Sequence, residues 1–344
     1  MPNPVLTRAI DALASRRDLS TEQAAEVLAE IMDGNASEVE TAGVLVALRT
    51  KGETVEEIEG LAQTMRRFAV PVTTGRDDLI DTAGTGGGRP TFNVSTTAAL
   101  IAAGAGCRVA KHGNRSATSH CGSADVLEAL GARIDLEPDA VAACIDEVGF
   151  GFMFAPRHHL AMRHVVPVRK ELAVRTVFNF LGPLTNPAGA LRQVIGVSDR
   201  RHLETIAAAL GELGTESALV VSSADGLDEL SASGSTHVVE LRGGRIEAYE
   251  VTPEQVGLEP APDGAVGAGT PGQNADVLRR VLNGDPGTER SMAVLNAGGA
   301  IYVGGKAGSL EEGVRSAERS IDDGAARDVL ERFVARTAQL GAGR

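Results

Sequence analysis

Leu79 to Thr96 reads LIDTAGTGGGRPTFNVST, and the reading of this stretch decides the fold. Leu79 and Ile80 are a short apolar run, glycines dominate 84–88, and Thr96 to Ala105 has the small-residue texture of a helix packed closely on a sheet. The order is strand, loop, helix. Glycines let the backbone approach phosphate oxygens and let successive N–H groups converge, while Asn93, Ser95 and Thr96 offer side-chain partners near the helix start. The loop carries neither GxGxxG nor GxxxxGK[ST], and alone it is ordinary scaffolding as readily as a phosphate site.

A second loop tips the balance. Lys111 to Ser123, KHGNRSATSHCGS, follows the strand candidate Arg108 to Ala110 and precedes a helical run from Ser123 to Leu130. Lys111, His112, Asn114 and Arg115 fall within five positions at a strand end. Such groups are costly to bury without partners, so they are expected to face a cleft and to supply the cation that the first loop lacks. Two such loops suit the phosphate and diphosphate ends of one ligand.

Further along, the same rhythm continues. Strands are predicted at Phe152 to Phe154, Val194 to Val197 and Ser217 to Val221, with helices over Pro138 to Val148 and Arg201 to Leu213. Thr236 to Leu241 and Ile246 to Val251, joined through Gly243 and Gly244, read as an antiparallel hairpin. Later helices are expected over Asn274 to Leu282, Glu289 to Ala297 and Leu310 to Ile321, with a last helix ending near Ala338. The fold class is therefore α/β, with a mostly parallel central sheet covered by helices.

The first 70 residues differ. Ser20 with Gln23, Ser37 with Glu40, and Thr54 with Glu57 each fit a capping box ahead of helical apolar spacing. Ala24, Val27, Leu28 and Ile31 mark one face, Ala42, Leu45, Val46 and Arg49 a second, and Ile58, Leu61, Ala62 and Met65 a third. With Val5 to Leu13 this predicts a small all-helical domain over 1–70 ahead of a large α/β domain over 75–344. Four short helices have little core of their own and are expected to recruit another.

Charge and cysteine usage exclude several classes. A formal charge of −13 argues against general nucleic-acid binding, although a local basic pocket can still steer a phosphorylated metabolite. Cys107, Cys121 and Cys144 lack metal-ligand spacing, so reduced thiols are the default. A basic segment followed by an apolar run is absent from the N-terminus, and no apolar run reaches about 18 residues. The expected location is the cytoplasm, away from membranes.

Pro156 to Glu171, PRHHLAMRHVVPVRKE, concentrates basic groups in this acidic chain. Adjacent His158 and His159 do not make a zinc site, whereas His159 and Arg163 can share a helix face. The planar fork of an arginine suits a carboxylate; a solvated basic helix is the plainer alternative. Asn179 to Gly189, NFLGPLTNPAG, then stiffens and turns the chain into a defined wall. Asp225 to Ser231, DGLDELS, is the acidic counterpart: Asp228 and Glu229 can meet hydrated Mg²⁺ and bridge it to phosphate oxygens.

Taken in order, GTGG, FNVST, KHGNR, GSADVLEALG, FAPRHH, RTVFNFLGPLTNPAG and GLDELS resemble the anthranilate phosphoribosyltransferase family, from about Ser20 to Phe333. The resemblance implies a homodimer whose hinge-side cleft binds 5-phosphoribosyl 1-diphosphate (PRPP), Mg²⁺ and anthranilate, with two metal ions per protomer. It implies that Gly84, Gly87, Asn93, Ser95, Thr96, Lys111, Asn114 and Ser123 surround PRPP, and that Ser95, Asp228 and Glu229 lie at the metals. It implies that Asn114 and Arg169 position anthranilate, Arg169 at the carboxylate, and that a helix near 171–181 returns to the N-terminal helices. Gly88, Thr91, His112, Gly113, Arg115, Ser119, His159 and Gly182 complete the implied lining. No covalent catalyst is needed, because an aromatic amine is already a nucleophile.

The chain departs from the family pattern in two places. The first loop is GTGGG-Arg89-Pro90-Thr91, without the usual acidic residue and one residue shorter, which leaves less charge to collect cations. An aspartate at 88 is expected to restore inhibition by excess Mg²⁺. The second loop has Thr118, His120 and Cys121 in place of Ser, Lys and Ser, and histidine carries less charge than lysine at neutral pH. Two other readings share the fold or the basic pocket: a pyrimidine-nucleoside phosphorylase or transferase with another acceptor, and a non-catalytic nucleic-acid-binding homolog.

Overall fold

Three capping boxes build the N-terminal helices as their spacing predicts. The structure, a computed structural model, describes residues 2–116, 121–262 and 264–341. Helix α1 (Pro4–Ala14) is capped by Asn3. Ser20, Ser37 and Thr54 close reciprocal caps on α2 (Thr21–Met32), α3 (Glu38–Lys51) and α4 (Val55–Arg67). On α3 the buried face is Val44, Leu45 and Leu48, while Val46 points outward and Arg49 is exposed. The expected face of Ala42, Leu45, Val46 and Arg49 is thus rotated. Gly43 to Leu48 is almost wholly apolar or small, so periodicity carries little information there.

The chain then enters the α/β part: β1 (Leu79–Gly84), α5 (Val94–Gly104), β2 (Arg108–Gly113), α6 (Ser123–Ala129), α7 (Pro138–Val148), β3 (Phe150–Phe154) and the single turn α8 (Ala155–His158). It returns to the bundle through α9 (Val166–Leu172) and α10 (Phe178–Leu184). The helix expected near 171–181 is therefore two short ones, α9 against α3 and α10 against α4. Ala173, in a left-handed conformation at φ 49°, ends α9 and prevents a continuous helix.

Strands β4 (Arg192–Gly196), β5 (Ser217–Ser223), β6 (Thr236–Arg242) and β7 (Arg245–Val251), with α11 (Leu203–Glu212) after β4, complete a sheet of order β3-β2-β1-β4-β5-β6-β7. Its first five strands pair in parallel and its last two antiparallel. Strand order reverses beside β1, which opens a crevice at the carboxyl ends of the strands. The C-terminal helices are α12 (Pro271–Leu282), α13 (Thr288–Val303), α14 (Leu310–Asp322) and α15 (Ala325–Gly341). Helix α13 runs through Gly298 and Gly299 rather than stopping at Ala297; Gly298 lets α14 approach, since a Cβ there would lie 2.7 Å from the Val314 nitrogen, and Gly299 packs on Leu230, Leu219 and Val194.

Alternation along the strands sorts the core into two. Val194, Leu219, Val221 and Val238 face one way, toward the cluster containing α5, α13 and α15. Ile195, Val197, Ala218, Val220, Val239 and Leu241 face the other, where they share one apolar cluster with α11, α10 and the N-terminal helices. The bundle is thereby built onto the back of the sheet, and no helix among the described residues is long and apolar enough to cross a membrane.

Candidate active site at the carboxyl edge of the sheet

Lys111 organises the floor of the crevice. It sits on β2 with only 1% of its surface exposed, and its Nζ donates to the Thr82 carbonyl (2.5 Å), the Thr82 hydroxyl and Ser95 Oγ (both 3.3 Å). Burial lowers its pKa, while Asp81 and Glu229 oppose that change. Asp81 is fully buried and accepts Asn186 Nδ2 (2.7 Å) and the His112 N–H (3.1 Å). Burial pushes its carboxyl up and Lys111 pulls it back. Neither Asp81 nor the amide of Asn186 stands out in the sequence, where Asn186 reads only as part of a rigid wall. Nothing in the local text shows that Asn186 also reaches the Ala110 carbonyl (2.8 Å) and so clamps β1 to β2.

Opposite lie Asp228 and Glu229. The Gly86 N–H donates to Asp228 Oδ2 (3.0 Å), which ties the acidic loop directly to the glycine loop. Burial raises both carboxyls, and Asp228 raises Glu229 further; Arg175 and Lys111 respectively oppose these shifts. The loop that presents them is braced from behind. Asn296 accepts the Leu230 N–H (3.0 Å) and donates to the Leu230 carbonyl (2.9 Å), while Ser231 Oγ donates to Asp225 (2.8 Å). Two adjacent half-buried carboxylates with no salt bridge of their own among the described residues are a hard-oxygen donor set for a divalent cation.

Lys111, Asp228 and Glu229 line one cavity of about 1330 Å³. From the first loop it includes Gly84, Gly87, Gly88, Thr91, Asn93 and Ser95. The second loop brings Lys111, His112, Gly113, Asn114, Arg115 and Ser123, and the far wall His159, Arg169 and Gly182. Thr96 stays out of it: the residue is fully buried inside α5, and its hydroxyl finds no partner among the described residues. Ser119, with Thr118 and His120, lies outside the described residues.

Two of the expected contacts are already engaged within the protein. Arg115 pairs with Asp125 (2.8 Å) and Glu128 (2.5 Å), which raises its pKa and fastens the loop to α6. Asn93 Oδ1 accepts Asn274 Nδ2 (2.9 Å) and the Cys121 thiol (3.2 Å), so its amide braces the two loops against α12. Cys121 is buried, with its thiol pushed up to about 11, and is no ready thiolate.

The histidines also differ from expectation. His159 ends α8 in a non-helical conformation and is buried, while Arg163 is exposed, so the two share no helix face. His112 packs against His159 with ring centroids 5.0 Å apart and the rings tilted; burial holds both imidazoles well below the usual range, helped by His159 and His158 at His112 and by His158 at His159. They act as neutral polar walls. Arg169 on α9 is half-buried, and its guanidinium lies 5.6 Å from the centre of the Phe178 ring. Burial lowers its pKa, with no carboxylate offsetting the change.

His159 gives a stability prediction. Its folded pKa is about 4, held down by burial and then by His158. An unfolded imidazole titrates near ~6.5, so its contribution is fully present above that value and declines as pH falls toward the folded value, by roughly 1.4 kcal/mol per pH unit. Urea midpoints measured from about pH 7.5 to about 4.5 should fall more steeply for the native chain than for His159→Gln. Parallel curves would remove the assignment.

Residues 7–69 match the helical bundle domain, and residues 76–327 the a/b domain, of a glycosyl transferase family, which defines the class. The anthranilate phosphoribosyltransferase of Rubrobacter xylanophilus is 54% identical, across 99% of each chain. In solved structures the enzyme of that name from Thermus thermophilus superposes with a TM-score of 0.91 at 46% identity, covering 96% of this chain and 99% of its own. The Saccharomyces cerevisiae enzyme in complex with PRPP and Mg gives 0.88 at 28% identity, covering 97% and 98%. Another structure of the yeast enzyme holds 4-fluoroanthranilate, with 0.86 at 27% identity and the same coverage. The chain belongs to the anthranilate phosphoribosyltransferase family.

Proposed function

We propose that this protein transfers the 5-phosphoribosyl group of PRPP to the amine of anthranilate, giving N-(5-phosphoribosyl)anthranilate and diphosphate, a step of tryptophan biosynthesis. The observation that carries the reading is the joining of three chemistries in one cavity: a glycine loop, the half-buried Asp228–Glu229 pair tied to it, and Arg169 on the far wall. A polyanion, its counter-cation and a carboxylate each find a partner there. A nucleoside with inorganic phosphate makes little use of the acidic pair.

Mg²⁺ fits the donors. Among the described residues no group of three or more His, Cys, Asp or Glu side chains forms a metal cage. Mg²⁺ is commonly held by one or two carboxylates plus substrate phosphates, which is what Asp228 and Glu229 offer. Ser95 lies beside Lys111 at the same end, and two ions per protomer is the stoichiometry we assign. Bound there, Mg²⁺ neutralises charge on the diphosphate leaving group. The protein's own work is orientation: Asn114 and Arg169 hold the acceptor, and no side chain becomes covalently attached.

We assign 1–70 as the small domain and 75–344 as the large one, the protein to the cytoplasm, and the assembly to a homodimer. Packed helices α3 and α9 support self-association by leaving Val39, Val46 and Val166 exposed, with Val174 just beyond them. Following anthranilate fluorescence in the presence of PRPP and Mg²⁺ tests the activity; no change on adding enzyme would overturn it. Arg169→Ala should leave PRPP affinity nearly intact and weaken anthranilate by about 10–150-fold, the value of one charge-assisted bond. Aniline, without a carboxylate, should suffer far less. Equal losses for both amines would remove Arg169 from the acceptor site.

A further inference from the structure

Arg175 lies in the short segment joining α9 to α10 and opens the motif RTVFNFLGPLTNPAG, which by itself assigns its side chain no role. The left-handed Ala173 turns the chain back over the crevice, a strained conformation in a non-glycine residue. Arg175 Nη2 then donates to the Gly86 carbonyl (2.8 Å), and a Cβ on Gly87 would overlap its Nη1. From the other side, Arg49 Nη1 on α3 donates to the Arg175 carbonyl (2.5 Å). The guanidinium thus bridges the helical bundle and the glycine loop, close enough to Asp228 to offset part of the burial that raises that carboxyl.

Its present partner is a poor match for its chemistry. A guanidinium fork is suited to paired anionic oxygens, yet here it meets one neutral carbonyl. Neighbouring cations are committed: Arg115 to Asp125 and Glu128, Lys111 to Thr82 and Ser95. We infer that Arg175 is a diphosphate-binding residue, which exchanges the Gly86 carbonyl for oxygens of the leaving group, with Arg49 as the positioning residue that holds it in reach. The exchange releases the glycine loop to close on the same anion and couples that closure to the bundle. This inference rests on PRPP being the substrate.

The test is calorimetric titration of inorganic diphosphate, with Mg²⁺, into the full-length protein and its Arg175→Gln, Arg175→Lys and Arg49→Ala variants, alongside KM for both substrates. Arg175→Gln should weaken diphosphate and raise KM for PRPP by about 10–100-fold, leaving KM for anthranilate and the melting temperature nearly unchanged. Lysine should restore part of the loss, and Arg49→Ala should show a smaller loss in the same direction. Unchanged diphosphate affinity in a folded Arg175→Gln overturns the inference, as do equal rises in both KM values with a lowered melting temperature. Should that variant fail to fold, native affinity in both Arg175→Lys and Arg49→Ala overturns it equally. Native protein that neither binds diphosphate nor turns over anthranilate overturns the proposed function instead.

Discussion

Glu229→Gln and Asp228→Asn are each expected to lower kcat/KM by roughly 10²–10³, the usual cost of removing a group that stabilises developing charge in a water-poor site. Both changes keep shape and remove charge. Half-saturation by Mg²⁺ should shift to higher concentration, since the amides no longer draw a hard cation. Stability should move the other way. Glu229 is half-buried beside Asp228, and burial raises its carboxyl with Lys111 as the offset, so neutralising it relieves a desolvation cost and the thermal midpoint should hold or rise. Activity and thermal midpoint measured together decide the point: a joint fall would make the pair structural.

Gly196→Ala should be nearly as damaging without touching a charged group. Gly196 ends β4, its carbonyl accepts the Thr85 N–H (2.8 Å), and a Cβ there would overlap the Asp228 carbonyl oxygen. The acidic loop must move, and a displacement of about 1 Å at a reacting centre costs on the order of 10²-fold. Overpacking adds about 1–3 kcal/mol of instability. Gly75→Ala, with nothing within 4 Å of the new Cβ, is the control for a harmless added methyl. Near-native turnover in Gly196→Ala would mean that the loop position is not critical.

The same geometry corrects the expectation for residue 88. A Cβ on Gly88 would lie 2.6 Å from Asp228 Oδ1 and 2.8 Å from the Asp228 nitrogen. An aspartate at 88 therefore has no room in the loop as it stands, and would displace Asp228 rather than simply recruit a further cation. Loop length and residue type go together: in a loop one residue shorter, the acidic partner packs where a side chain would be.

Legibility in the sequence followed the range of each interaction. The capping boxes at Ser20, Ser37 and Thr54 are local, three residues apart, and their helices start where the spacing places them. The glycine loop, Lys111 and the Asp228–Glu229 pair stood out because those residue types are costly without a ligand or partner. What escaped was set by distant partners. Arg115 looked like a phosphate cation, but its acids lie ten and thirteen residues on, across a turn. Arg175 opened a quoted motif without a role of its own, because its partners, Gly86 and Arg49, come from two other parts of the fold. Thr96 is buried where its neighbour Ser95 lines the cavity, a difference of one residue or about 100° of helical rotation, too fine for a pattern without coordinates.

The apolar cluster shared by the bundle and the back of the sheet has a consequence for biosynthesis. Helices α1 to α4 are made before Val165, Phe178, Leu181, α11 and the strand residues Ile195 to Leu241 that share their apolar cluster, which come roughly a hundred residues or more later. At about 5–20 residues per second, the nascent bundle waits on the order of ten seconds with its inner face uncovered. The apolar face of the N-terminal helices is thus complete only once β6, the last strand to contribute to that cluster, has been made.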